Sequence, residues 1–156
     1  MKRILTLFVL LLTAVVLCGE RETIRDAHGK IIGTATTDGN RTVYRDASGK
    51  VTGTASTNGN KTTYRDSSGR TTGTATENGN RTTFRDSSGK TIGTATTNGN
   101  RTTFREATGA SAGSSTSTGN RTTYRDSHGS IVGTSTSTGS GSSTSQTPHI
   151  LNPVSK

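Results

Sequence analysis

From residue 20 to residue 140 polar and apolar positions take turns along the chain. The stretch RTTYRD at Arg121–Asp126 sets an aromatic ring between polar neighbours, and KTIGTAT at Lys90–Thr96 alternates in the same way with Gly and Ala on one side. Period-two alternation over six or seven residues predicts half-buried β-strands, and the β-branched and aromatic content suits a pleated surface. The pattern excludes helix.

This pair of strands recurs without insertion or deletion in six repeats, 21–40, 41–60, 61–80, 81–100, 101–120 and 121–140. Of the 20 glycines, 18 fall at three repeat positions. The turn positions are Gly29, Gly49, Gly69 and Gly89 after D-x-x-G, and Gly39, Gly59, Gly79 and Gly99 beside Asn or Asp, each with an equivalent in the later repeats. A fixed glycine register predicts fixed turns, because glycine adopts positive φ at little cost. The third register runs from Gly33 to Gly133. D-S-S-G reads as a type I turn, and N-G as a tight hairpin loop.

Alternation also assigns faces. Ile24, Tyr44, Tyr64, Phe84, Phe104 and Tyr124 occupy one position and point inward, while Arg25, Arg45, Arg65, Arg85, Arg105 and Arg125 next to them point out. Gly33 and its equivalents share the inward face with Ala35, Ala55, Ala75 and Ala95, so a ring covers backbone that glycine leaves bare. One ring and a few small residues per repeat contribute ~2–3 kcal/mol, too little for a repeat to fold alone, so stability must accumulate between neighbours. The fold class is therefore all-β, with 19–140 forming a six-repeat array. Two architectures satisfy the pattern: a β-hairpin meander or ribbon, and a β-solenoid in which like residues stack ~4.8 Å apart. Stacked arginines favour the meander. The low apolar content, 25%, leaves disorder as the alternative.

Outside the array, MKRILTLFVLLLTAVVLC carries two cations, an apolar run and small residues, the layout of a secretory signal peptide over 1–18. Three readings follow: cleavage near residues 18 and 19, lipidation of Cys18 as in a bacterial lipoprotein, or retention as an anchor. After cleavage no cysteine pair exists, so disulfides do not staple the mature chain. Residues 141–156 read as a Ser/Gly-rich flexible tail. The formal net charge is +9, and +7 without Lys2 and Arg3, a balance that suits anionic partners.

The phrase around Gly59-Asn60, Tyr64, Asp66, Gly69 and Arg70 resembles the YD repeats of RHS-type bacterial surface and toxin-shell proteins. The G-K-x-x-G-x-A spacing from Gly89 to Ala95 is similar to MORN repeats. Both resemblances imply a β-hairpin array, and neither implies an activity.

Little in the chain suggests catalysis. His28 and His128 sit at one turn position near Asp26 and Asp126, where a histidine in place of serine is ordinary turn variation. With His149 they lack metal-ligand spacing, and no nucleophile elbow or phosphate loop is present. No cofactor and no enzyme activity are expected. The candidate site is a lattice of cations, Arg41, Arg45, Arg65, Arg81, Arg85, Arg101, Arg105, Arg121 and Arg125, suited to a polyanion. The competing reading pairs these cations with Asp46, Asp66, Asp86 and Asp126. Single-stranded nucleic acid is disfavoured, since no aromatic platform shares that face. A T-x-T array, from Thr34/Thr36 to Thr134/Thr136, is similar to ice-binding β-solenoid faces, and Asn40, Asn60, Asn80, Asn100 and Asn120 head N-x-T acceptors. The function expected is an exported bacterial repeat protein, structural or adhesive at the cell surface or in the extracellular matrix. It would self-associate through uncapped sheet ends into oligomers or fibres. The alternatives are a binding module for acidic glycans or lipid head groups, and ice binding.

Overall fold

The computed structural model describes residues 7–11, 19–139 and 146–150. The expected cleavage site, Cys18 and most of the tail lie outside them. Two short strands, β1 (Leu7–Leu11) and β14 (Gln146–Ile150), pair antiparallel with each other.

The array is all-β and antiparallel. Each repeat supplies a hairpin: β2 (Glu20–Asp26) and β3 (Ile31–Asp38), β4 (Arg41–Asp46) and β5 (Val51–Asn58), β6 (Lys61–Asp66) and β7 (Thr71–Asn78). The series continues with β8 (Arg81–Asp86) and β9 (Thr91–Asn98), β10 (Arg101–Glu106) and β11 (Ser111–Thr118), β12 (Arg121–Arg125) and β13 (Ile131–Thr138). Neighbours in sequence are neighbours in space, as a meander requires. The sheet does not stay open: β13 pairs with β2, from Gly133 opposite Asp26 to Thr138 opposite Arg21, and the 12 strands form a closed barrel. This corrects the solenoid alternative. Neighbouring strands run antiparallel, so equivalent arginines lie two strands apart and are never stacked at ladder spacing. Closure also pairs the two sheet ends that self-association would have used.

The core fills the barrel. Ile24, Tyr44, Tyr64, Phe84, Phe104 and Tyr124 are all buried, as are Ala35, Ala55, Ala75 and Ala95. Each ring is held between two small residues in register: Tyr44 faces Ala35 on one side and Gly53 on the other, and Phe84 faces Ala75 and Gly93. Burying one such ring stabilises by ~2–3 kcal/mol.

The third glycine register has a different reason from the one its regularity suggests. In this register Gly113 alone has positive φ, at 133°, while Gly33, Gly53, Gly73, Gly93 and Gly133 do not. They lie opposite a register shift, and a Cβ on Gly73 would sit 2.5 Å from the carbonyl oxygen of Arg85 on the next strand. The glycine lets two backbones approach, and any side chain would push them apart. The D-x-x-G glycines do follow the turn expectation, with Gly69 at φ 83°. The hairpin loops shift by one residue: Asn58 pairs with Lys61, which leaves Gly59-Asn60 rather than Asn58-Gly59 as the two loop residues.

Candidate functional site

Two rims bound the barrel, and the D-x-x-G rim carries the most regular chemistry. In each turn the glycine N–H donates to the carbonyl of the aspartate or glutamate that opens it, as in Gly69 to Asp66 at 3.1 Å. The Asp66 carboxylate then accepts main-chain N–H groups from Ser68 (2.8 Å) and Arg70 (2.9 Å). Asp26, Asp46, Asp86 and Asp126 do the same in their repeats. The Ser48 and Ser88 hydroxyls add a further bond, and these hydroxyls chiefly hold the Asp46 and Asp86 carboxyls below the usual range. Repeat five has Glu106 at this place, and Ala110 N–H turns instead to the Thr108 hydroxyl at 3.5 Å.

One carboxylate oxygen of each aspartate, Oδ1, is thus committed to the turn backbone, and the arginines take another partner. In all six repeats the guanidinium NH1 donates to the turn glycine carbonyl: Arg25 to Gly29, Arg45 to Gly49, Arg65 to Gly69, Arg85 to Gly89, Arg105 to Gly109 and Arg125 to Gly129, at 2.8–3.1 Å. One N–H of five is spent, which fixes each side chain and leaves a planar fork of donors for an external anion. Lys30, Lys50, Arg70 and Lys90 follow the same turns. At the opposite rim Arg41, Arg81, Arg101 and Arg121 are exposed.

Between the rims the outer wall is a belt of hydroxyls. Thr63 lies between Ser56 and Thr74, and Thr83 between Thr76 and Thr94. Such a wall lacks the apolar band that a lipid-spanning barrel turns outward. No helix among the described residues is long and apolar enough to cross a membrane. The asparagines of the N-x-T motifs tie one hairpin to the next. Asn60, Asn100 and Asn120 donate from Nδ2 to the carbonyls of Glu77, Ser117 and Ser137.

His28 and His128 show no acid–base pairing with their neighbouring aspartates. The contact to Asp26 and Asp126 comes from the histidine main-chain N–H, while the His128 ring meets the Ser127 hydroxyl at 3.3 Å. Among the described residues no group of three or more His, Cys, Asp and Glu is placed to hold a metal.

One interior residue is not signalled by the repeat pattern. In four repeat junctions an inward hydroxyl pair links neighbours: Thr37 with Thr42, Thr57 with Thr62, and Thr97 with Thr102 at 2.9 Å, and Ser117 with Thr122 at 3.0 Å. At the closure seam the equivalent register pair is Ser137 with Glu22. Ser137 donates to Glu20 instead. Glu22 is 1% exposed, and neither carboxyl oxygen makes a hydrogen bond of ordinary geometry, although the Ser135 hydroxyl lies close by. Burial pushes its pKa up to about 7, with the nearby Ser135 hydroxyl pulling down and Glu20 pushing up. The one trace of this in the sequence is that Glu22 stands where the other five repeats have Thr42, Thr62, Thr82, Thr102 and Thr122.

No protein-family model, curated protein or solved structure matches the chain.

Proposed function

We propose that the chain is an exported, non-enzymatic adhesive module whose barrel rim binds anionic groups, those of acidic polysaccharide or of lipid head groups. The observation that carries this reading is the sixfold Arg-to-glycine bond. It sets six guanidiniums in one pose around one rim, already ordered before any partner arrives. Ten cations at that rim stand against six acidic residues, of which five are aspartates bound to turn backbone. Fixed, repeated donors favour multivalent capture, since little side-chain freedom is lost on binding.

The threonine rows wrap around the barrel wall, so they offer a planar lattice little to match beyond a strand or two. The anion reading is preferred to ice binding for that reason. The test is retention on immobilised heparin across a salt gradient. Arg65, Arg85 and Arg105 changed together to Gln should elute at clearly lower salt, with the far-ultraviolet spectrum unchanged. Elution at the wild-type position would defeat the proposal.

A further inference from the structure

The large hydrophobics that stay exposed among the described residues are Ile31 (41%), Ile32 (40%), Ile131 (46%) and Val132 (39%). They belong to the first and last repeats, a hundred residues apart in sequence. Closure brings them together: β3 and β13 flank β2, and Arg25 on β2 lies opposite Ile31 on one side and Thr134 on the other. With strands ~4.8 Å apart and Ile131 and Val132 lying beyond Gly133 toward the turns, the two aliphatic pairs are ~10 Å apart across the strands and offset by roughly 7–10 Å along them, on the wall beneath the D-x-x-G rim. The same two positions hold Val51-Thr52, Thr71-Thr72, Thr91-Ile92 and Ser111-Ala112 in the other repeats. The apolar character therefore gathers in a single sector, at the seam.

We infer that this sector docks on an anionic lipid surface, the aliphatic tips entering the head-group boundary while the rim cations meet phosphates. The inference rests on the anion-binding reading of the rim and names its source. Charge selects the occupant. Arg25, Lys30 and Arg125 border the patch together with Asp26 and Asp126, which each accept turn N–H groups through Oδ1, so the net charge around it is positive and its partner must offer hydrocarbon and negative charge together. An acidic polysaccharide offers only the charge. A second copy of this chain would bring the same cations against these. A neutral bilayer would leave the arginines without counter-charge.

The chain has no tryptophan, so a single introduced one reports its own surroundings in the full-length protein. Ile131→Trp places it in the patch. Thr71→Trp places it at the same repeat position six strands away, on the opposite side of the barrel. With vesicles of phosphatidylcholine and phosphatidylglycerol, emission from Ile131→Trp should move to shorter wavelength while that from Thr71→Trp stays. Phosphatidylcholine alone should give no movement at either site. Equal movement at both sites, or none at Ile131→Trp, overturns the inference. A combined Ile31→Ser, Ile32→Ser, Ile131→Ser, Val132→Ser variant should lose the association measured by anisotropy but keep wild-type heparin retention. Loss of both readouts in a folded variant counts against the lipid assignment, whereas heparin retention that ignores the Arg→Gln changes removes the rim reading beneath it. A concentration-dependent dimer abolished by the serine variant, with no vesicle response, assigns the patch to a second copy and overturns the inference.

Discussion

The junction between repeats one and two and the junction that closes the ring join neighbouring hairpins with different chemistry. In the first, Thr37 and Thr42 share a hydrogen bond inside the barrel, and Tyr44 lies between Ala35 and Gly53. In the second, a carboxyl replaces the threonine, Ile24 replaces the ring, and Ser135 replaces the alanine, its hydroxyl meeting the Tyr124 phenol of the adjoining strand β12 at 3.1 Å. The regular wall is held by small neutral groups that match one another. The seam buries an acid almost completely, so the closing contact is the one whose strength depends most on proton activity. Glu77 shows that the position of the acid decides this: it occupies the threonine place in another junction, but is only partly buried, and its pKa rises from burial alone.

The comparison can be broken from either side. The largest effect is expected in the regular wall. Gly73→Ala puts a methyl group against the Arg85 carbonyl, and Phe84→Ala empties the space between Ala75 and Gly93. Each should lower the unfolding free energy by ~3–4 kcal/mol in urea titrations, since the paired strands can neither part nor collapse freely.

Next comes the seam. The folded pKa of Glu22 lies above its ordinary value of 4.5, so the unfolded chain releases this proton first as pH rises. Its stabilising contribution is complete below about 4.5, declines up to about 7 and is then level, a loss of ~3 kcal/mol. Glu22→Thr should therefore raise the melting temperature at pH 8 and change it little at pH 4. Equal effects at the two values would show that the seam carboxyl is not the titrating group.

Smaller effects sharpen the contrast. Tyr124→Phe leaves the ring and removes the phenol that meets Ser135 at the seam, for an expected cost of ~1 kcal/mol in the same titrations. Thr57→Val in the regular wall removes one hydroxyl of a pair and should cost somewhat less, because Thr57 is only half-buried and water reaches that edge more readily than the seam interior.

How much of this is legible in the sequence follows from what repeats and what does not. The strands, their inward rings and their outward arginines are periodic, so alternation alone places Tyr64 inside and Arg65 outside. The turn aspartates and glycines are equally readable from local chemistry. Closure is not, because pairing of β13 with β2 depends on the accumulated twist and tilt of twelve strands, which no single repeat encodes. The partner of the arginines is hidden for a related reason: Asp66 is adjacent in sequence, yet its Oδ1 turns to the Ser68 and Arg70 main-chain groups while Arg65 turns to the Gly69 carbonyl. The register of Gly73 is plain in the repeat but its cause is not, since the need for glycine arises from the neighbouring strand. Glu22 stands out only as a departure from threonine, a signal whose meaning depends on where the ring joins.

Closure has a directional consequence as well. Arg21 and Thr138 face each other across the seam, so the chain enters and leaves the ring at the same edge, the one away from the six Arg-bearing turns. Chain joined at Gly19 or Gly139 therefore meets the barrel on that side. A tethered copy would hold its guanidinium crown outward, toward a second surface, in the manner of a stud rather than a plug.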